Sequence, residues 1–185
     1  LSVAGFEVES IDDFSNRAQG VVVGYIKSIE NHPNANKLKI CHVNIEQQKT
    51  EQIVCGANNV KAGIHVLIAK NGAYLSAKNI QIKAAELRGV KSNGMICSLK
   101  ELGFNASNNG IAILEEMEVE IPDIGTDVIK LLNLEEKVID LAITANRPDG
   151  MSMIGIAREV SALTEAKLTI PLSGKRNTQL FKPNY

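Results

Sequence analysis

Between residues 21 and 114 the chain alternates short apolar, β-branched runs with turns, and this rhythm limits the possible folds more than any other feature. The runs span residues 21–29, 38–45, 52–55, 64–69, 80–83, 85–87 and 110–114. Glycine stands at several corners between them, including Gly24, Gly63 and Gly89. Strands at spacings of roughly ten residues, with no helical periodicity between them, are typical of a small antiparallel barrel. The sequence therefore predicts a mainly β fold with a barrel of about five strands.

The residues outside this region predict strands and helices of a different kind. Apolar residues alternate in 3–11 and in 137–143, and 168–172 is a further candidate strand. A helix is predicted after Asp149 or Ser152, either of which can serve as its N-cap. Its apolar residues recur at helical spacing and predict one buried stripe, formed by Met153, Ile156, Ala157, Val160 and Leu163.

This order of elements predicts a barrel inserted into a second, discontinuous domain. The barrel domain would cover residues 21–144, with its core at about 21–115, and would include a short helix at 126–133 capped by Thr126. The small and incomplete α/β flank would combine residues 1–20 with 145–172. Residues 173–185 are not assigned to either domain.

The charge of the chain is unevenly distributed. Its formal net charge is -1, yet residues 21–110 contain eleven Lys and Arg against five Glu, a net charge of +6. The remaining residues carry an acidic excess. A basic domain favours a polyanionic partner, although a solvated lysine surface explains the charge equally well.

Composition and motifs exclude several classes of protein. No apolar run approaches the ~20 residues of a membrane span and no signal peptide is visible, so we expect a cytoplasmic protein without a membrane partner. Cys41, Cys55 and Cys97 are widely spaced in apolar runs, which favours buried, reduced thiols over a disulfide or a zinc site. No phosphate loop, nucleophile elbow or metal-binding histidine pair is present. We therefore expect no catalytic residue, metal or cofactor in this chain.

Aromatic residues are scarce in the basic region, which narrows the kind of nucleic acid it could bind. The chain has no tryptophan, and this region offers Tyr25, Tyr74 and Phe104. Readout of single strands depends on rings that stack on bases, each worth about 1–3 kcal/mol. Structured RNA, held through its phosphates and its shape, is therefore the better partner.

Four motifs give the chain a specific resemblance. They are His32-Pro-Asn-Ala-Asn-Lys-Leu38, Ile53-Val-Cys-Gly-Ala57, Ala85-Glu-Leu-Arg-Gly-Val90 and Ser92-Asn-Gly-Met-Ile-Cys-Ser98. Together they resemble the signature of the EMAP II-like tRNA-binding domain, an oligonucleotide-binding (OB) barrel of five strands. Residues 145–152 with 155–160 resemble the segment that follows this barrel in the β-subunit family of bacterial phenylalanyl-tRNA synthetases. Residues 4–9 resemble the segment that precedes it.

The resemblance implies a tRNA-binding, N-terminal part of a longer β subunit that is itself non-catalytic. The whole enzyme would join phenylalanine to tRNA-Phe with ATP and Mg²⁺, as an α2β2 heterotetramer whose α subunit carries the catalysis. Two departures from the family pattern stand out: Asn36 replaces the usual aspartate, and Gly150 replaces a common cysteine. The alternative is a free-standing OB-fold protein that binds structured RNA or acts as a chaperone.

The resemblance also implies an RNA-binding face. It would consist of Asn34 and Lys37 on the first turn, with Arg88, Ser92 and Met95 around the second. Charge alone adds Lys39 and Lys91. The alternatives are that Lys37 and Arg88 are ordinary surface charges and that Met95 belongs to the core.

A second set of residues is expected to fix the junction of the two domains instead of contacting RNA. Pro148 stiffens the turn and Asp149 can cap the helix. The set consists of Asn146, Arg147, Pro148 and Asp149.

Overall fold

The computed structural model describes residues 1–46, 49–106 and 110–170. The unassigned residues 173–185 lie outside this range, as do the last two residues of the predicted strand 168–172. The chain divides into two compact units, residues 12–138 and residues 1–11 with 139–185. We call them the barrel unit and the flanking unit. The sequence-based bounds, 21–144 against 1–20 with 145–172, lie several residues from these.

The chain contains ten strands and two α-helices in its described residues. In chain order they are β1 (Glu7–Asp13), β2 (Gln19–Asn31), β3 (Lys39–Glu46), β4 (Lys49–Cys55), β5 (His65–Leu75), β6 (Ile80–Gln81), β7 (Ala85–Leu87), β8 (Val90–Ser92), β9 (Gly94–Ile96), α1 (Val128–Leu131), β10 (Lys137–Ala142) and α2 (Met153–Thr164). No helix among the described residues is long and apolar enough to span a membrane.

The barrel unit is built on one curled antiparallel sheet in the order β4-β3-β2-β5-β6, with β9 also paired to β5. The long strand β2 pairs with β5 over its first half and with β3 over its second half. Tyr25 is the residue where the two ladders meet, because it faces Asn44 on one side and His65 on the other. Sharing one strand between two neighbours in this way curls the sheet. The prediction of a mainly β, OB-like fold is confirmed.

Residues 21–24 of β2 and 66–69 of β5 are buried on both faces of the sheet. Val22 and Ile68 face the interior of the curl with the inner residues of β3 and β4, whereas Val23 and Leu67 face the opposite side. That opposite side is covered by residues from the segment after β9 and from α1, namely Cys97, Leu102, Ala112, Leu114, Val128 and Leu134. Burial of each branched side chain contributes about 1.5–3 kcal/mol, so these two strands stabilise the barrel most. Their continuous apolar sequence follows from this two-sided burial.

Three details of the barrel differ from the sequence-based prediction. The strands β8 and β9 were not predicted. The apolar run 110–114 was predicted as a strand, but it makes a single bridge between Val66 and Ile113 and then a 3-10 turn at Leu114–Glu116. Its residues from Ile111 onward are buried, and burial alone makes such a run resemble a strand. The helix α1 is capped by Asp127 instead of Thr126, through a hydrogen bond from the Ile129 N–H.

The described part of the flanking unit contains few secondary-structure elements. Most of the two-stranded β1–β10 sheet lies in it, with α2, which Ser152 caps as predicted by accepting a 3.0 Å hydrogen bond from the Gly155 N–H. The prediction of a buried helical stripe is wrong, since Met153 is 85% and Leu163 is 44% exposed. Two strands and one helix offer too little surface to bury that face. Residues 168–170 form no strand.

Candidate nucleic-acid interface

Two connections of the barrel stand where OB barrels bind their ligands. In this fold the connections between strands 1 and 2 and between strands 4 and 5 bind oligonucleotides. Here the first is the turn 32–38 between β2 and β3, which we call the first loop. The second is 76–93 between β5 and β9, and its outer part is the β7–β8 hairpin. Asn34 and Lys37 lie in the first connection, and Arg88 and Ser92 lie in the second, while their role in RNA binding stays a prediction.

The first loop is closed by its own hydrogen bonds. The His32 N–H donates to the Leu38 carbonyl over 3.2 Å, and the Leu38 N–H donates to the Ala35 carbonyl over 3.1 Å. Pro33 lies within the turn, where its fixed φ restricts the chain. The Asn34 N–H donates to Nδ1 of the His32 ring over 3.1 Å. The loop is thus a compact turn that leaves Lys37 exposed to solvent.

The β7–β8 hairpin turns at Arg88 and Gly89. These residues have φ values of 50° and 88°, so both lie in the left-handed region. A two-residue turn with two positive φ values is the type I′ turn, whose twist matches that of the flanking strands. Glycine adopts this conformation without strain, but Arg88 does not. An arginine therefore occupies the tip of the hairpin although its backbone conformation costs free energy there.

Two side chains of the first loop hold the tip of this hairpin. His32 is 5% exposed, and its Nε2 lies 3.0 Å from the Leu87 carbonyl oxygen. Because Nδ1 accepts from the Asn34 N–H, the ring proton is on Nε2, which donates to Leu87. The side-chain amide of Asn34 donates to the Arg88 carbonyl over 3.0 Å. The carbonyls of Leu87 and Arg88 are thus both bound to the first loop.

The two loops enclose a shallow cleft of about 320 Å³. Ala35 and Leu38 give it apolar walls, and Asn36 is polar but uncharged. Lys37 and Arg88 are its charged residues, and both are exposed. The structure therefore brings two of the predicted RNA-binding cations, one from each loop, to the same cleft. With Asn36 in place of the usual aspartate, this lining carries positive charge only.

The other predicted site residues are placed differently. Ser92 is buried, and its hydroxyl accepts from the Val54 N–H and donates to the Gly94 carbonyl. Met95 is half-buried and packs against the core. The structure therefore gives Ser92 and Met95 supporting places in the barrel and does not bring them into the cleft.

The two lysines added from charge also stand apart from the cleft. Lys39 is half-buried, and its ammonium group donates to the Val60 carbonyl over 3.4 Å. Lys91 is exposed and lies directly opposite Glu86 in the register of the hairpin, so a residue of opposite charge faces it across the two strands. Neither lysine lines the cleft between the loops.

The sequence predicted no role for His32. In the structure, His32 is buried and its hydrogen bond to Leu87 joins the two loops. Within the turn, the His32 ring accepts from the backbone N–H two residues later, as Asn, Asp, Ser and Thr side chains do in their own turns. The sequence carries no local signal for the contact to Leu87, 55 residues away.

Arg147 is the centre of a polar cluster in the flanking unit. Its guanidinium lies 4.2 Å from the centroid of the Phe6 ring and donates to the Ala4 carbonyl. It also donates over 2.8 Å to the carboxylates of Asp149 and Glu159. Hydrogen bonds from Arg147 hold the pKa of Asp149 below its usual range, and both carboxylates raise the pKa of Arg147.

The remaining predicted junction residues support this cluster locally. Pro148 opens the 3-10 turn Pro148–Met151, and the Asn146 side chain accepts a hydrogen bond from the Thr144 hydroxyl. Asp149 contributes its carbonyl to the Ser152 N–H, while Ser152 itself caps α2. A role of these residues at the junction of the two units stays a prediction.

The described residues contain no other obvious chemical centre. In 1–46, 49–106 and 110–170, no group of three His, Cys, Asp or Glu side chains is placed to hold a metal ion. The three cysteines are buried in the barrel unit, as predicted, and burial raises the pKa of the Cys41 and Cys97 thiols to about 12.

Similar proteins match the whole chain. Over 184 residues it is 57% identical to the phenylalanine–tRNA ligase beta subunit of Prochlorococcus marinus (strain NATL2A), a match to 99% of this chain and 22% of that protein. It is 62% identical over 172 residues to the same subunit of Synechococcus sp. (strain CC9902), with coverage of 93% and 21%. The chain thus spans about a fifth of these relatives, matching their N-terminal part.

A solved structure and a family model also match parts of the chain. The C-terminal domain of Plasmodium vivax p43 is 24% identical, with a TM-score of 0.40 and coverage of 59% of this chain and 58% of that one. This score is too low to support a conclusion, and the fold rests on the strand pairing described above. The model of the family described as "Putative tRNA binding domain" matches residues 21–122, more than half of the chain. The chain therefore belongs to this tRNA-binding-domain family.

Proposed function

We propose that this chain is the tRNA-binding module of a phenylalanine–tRNA ligase β subunit and contributes to tRNA capture. The observation that carries the proposal is the cleft in which Lys37 and Arg88, from two different loops, present charge at the ligand-binding edge of an OB barrel. Similarity to β subunits extends over the flanking unit as well as the barrel. This extent favours the module over a free-standing RNA-binding or chaperone-like protein.

The binding mode follows from the charges and from the scarcity of free rings. Tyr25 packs against His65 with ring centroids 4.9 Å apart, and the Tyr74 hydroxyl donates to Asn79. Phe104 is half-buried against the core. Tyr25 and Phe104 are packed within the protein, and Tyr74, 38% exposed, is the most accessible of the three rings. With so few free rings, contacts to phosphates and to the shape of folded RNA dominate binding. We expect little preference for sequence.

The proposed contacts differ among the predicted site residues. Lys37 and Arg88 contact phosphates, and Asn34 supports Arg88 through its carbonyl. Lys91 contributes less because Glu86 faces it. Ser92 and Met95 shape the barrel beneath the loops.

The rest of the enzyme supplies what this chain lacks. We propose that the longer subunit pairs with a catalytic α subunit in an α2β2 assembly in the cytoplasm. ATP and Mg²⁺ would act in the α subunit to join phenylalanine to tRNA-Phe. Within this module, Asn146, Arg147, Pro148 and Asp149 would hold the flanking unit together at the junction with the barrel.

A titration of tRNA at increasing salt tests the proposal. The wild-type chain should bind with an affinity that falls steeply with salt, because each phosphate contact releases counterions. Lys37→Ala should weaken binding and reduce the log-log slope by about one contact. Lys130→Ala in α1, an exposed lysine that does not line the cleft, is the matched control and should leave the slope unchanged. Absence of binding at low salt, or salt-independent binding, would contradict the proposal.

A further inference from the structure

Resting on this function, we propose that His32 and Asn34 are positioning residues that join the two loops into one phosphate-binding cleft. They would act through Arg88 instead of touching the RNA phosphate themselves. The ligand of the cleft is then an RNA phosphodiester held between Lys37 and Arg88. This assigns a binding role to a buried histidine that carries no charge toward the ligand.

The base and the tip of the hairpin are held by different contacts. At the base, the Gln52 side chain donates to the Lys91 carbonyl over 2.7 Å and the Ser92 hydroxyl binds the Val54 N–H. At the tip, His32 and Asn34 make the contacts. Residues 83–89 are exposed, so core packing does not fix the tip. The two hydrogen bonds from the first loop therefore determine where Arg88 stands relative to Lys37.

The backbone of Arg88 makes this restraint necessary. Its φ of 50° is unfavourable for a residue with a side chain. The hydrogen bonds to the carbonyls of Leu87 and Arg88 compensate for that strain, and the donor of the first bond, His32, is itself buried. Without them the hairpin tip gains alternative conformations, and Arg88 spends less time at the cleft. Binding would then have to order the tip, at a cost in affinity.

Two substitutions at His32 separate the contact to Leu87 from the contact within the turn. In His32→Asn the amide oxygen can replace Nδ1 as acceptor for the Asn34 N–H, but the side chain is too short to reach Leu87. In His32→Gln the longer side chain can place an amide N–H near the position of Nε2. His32→Asn should weaken tRNA binding by about three- to tenfold and lower the salt slope by about one contact. His32→Gln should stay within about twofold of wild type because it keeps the donor to Leu87.

A double-mutant cycle shows whether His32 acts through Arg88. If it does, His32→Asn with Arg88→Ala should bind tRNA like Arg88→Ala alone, because the group being positioned is gone. Asn34→Ala, at an exposed position that does not threaten the fold, should show the same non-additivity with Arg88→Ala. This second cycle decides the question if His32→Asn fails to fold.

The outcomes distinguish this proposal from the function it rests on. Additive losses in the cycle that folds, or wild-type affinity and slope in both His32→Asn and Asn34→Ala, would overturn the positioning role while tRNA binding stands. Loss of binding in His32→Gln equal to that in His32→Asn would also overturn it. If the wild-type chain and Arg88→Ala both fail to bind tRNA at low salt, the proposed function fails and this inference with it.

Discussion

The barrel unit and the flanking unit hold themselves together by different means. In the barrel unit, residues 21–24 of β2 and 66–69 of β5 are buried on both faces among apolar side chains. Among the described residues of the flanking unit, Phe6 is the one large side chain that is fully buried, and it lies under the guanidinium of Arg147. The apolar residues of α2 remain largely exposed. The proposed RNA-binding loops thus stand on the unit with an extended apolar core, whereas the described part of the flanking unit is organised around the Phe6 ring and the Arg147 cluster.

The largest effect is expected from leucine truncation in the barrel. Leu67 is fully buried, so Leu67→Ala should lower the free energy of unfolding of the barrel unit by about 2–5 kcal/mol. Leu163→Ala, the same change in α2 at a residue 44% exposed, is the control and should cost less than about 1 kcal/mol. Urea titration followed by far-UV circular dichroism reports on both units, and pulsed thiol labelling assigns a loss to the barrel unit, because Cys41, Cys55 and Cys97 all lie in it. Equal losses for the two variants would contradict the comparison.

A smaller effect is expected at Gly150, which tests how closely the flanking unit is packed. A Cβ at this position would overlap Cε1 of Phe6 and lie 3.0 Å from Cδ1 of Ile143. Gly150→Ala should therefore destabilise the flanking unit by about 1–3 kcal/mol, seen as faster amide hydrogen exchange in α2. Exchange in β2 and β5 is the internal control and should not change.

Relief of the clash at Gly150 provides the complementary test. In a Phe6→Leu background the added methyl group has more room, so the cost of Gly150→Ala should shrink. An unchanged cost in that background would show that the Phe6 ring does not fill the space.

The smallest effect is a pH dependence of the barrel unit, carried by Glu115 and His65. Burial raises the pKa of Glu115, but hydrogen bonds from the His65 ring at 2.8 Å and from its N–H outweigh this and lower the pKa from 4.5. A lowered folded-state pKa stabilises the fold above pH 4.5, and this contribution disappears as pH falls through the folded-state value. In Glu115→Gln, the free energy of unfolding of the barrel unit should therefore fall less steeply below pH 4.5 than in the wild type. The same fall in both proteins would contradict a stabilising contact between Glu115 and His65.

Much of the barrel could be predicted from sequence because its signals are local. Alternating apolar residues identify the long strands, and the Arg88-Gly89 pair marks a hairpin turn. The short strands β8 and β9 were missed because three residues carry too little pattern. The prediction of a strand at 110–114 was wrong, because a buried loop and a buried strand have similar apolar compositions.

The site could be predicted only in part for a related reason. The motifs single out Lys37 and Arg88, which the structure brings to one cleft, and their contact with RNA stays a prediction. The motifs do not show that the Ser92 hydroxyl is hydrogen-bonded inside the barrel, because its partner Val54 is 38 residues away in the sequence. The exposed stripe of α2 likewise could not be foreseen, because helical periodicity predicts an apolar face but not what covers it.

The two-sided burial of β2 and β5 has a mechanical consequence for the proposed interface. The first loop begins where β2 ends, and the second loop begins where β5 ends. Both loops therefore extend from strands that are anchored, further from the loops, by segments buried on both faces. A bound RNA would pull on strands whose buried segments cannot slide without exposing apolar side chains on both faces at once.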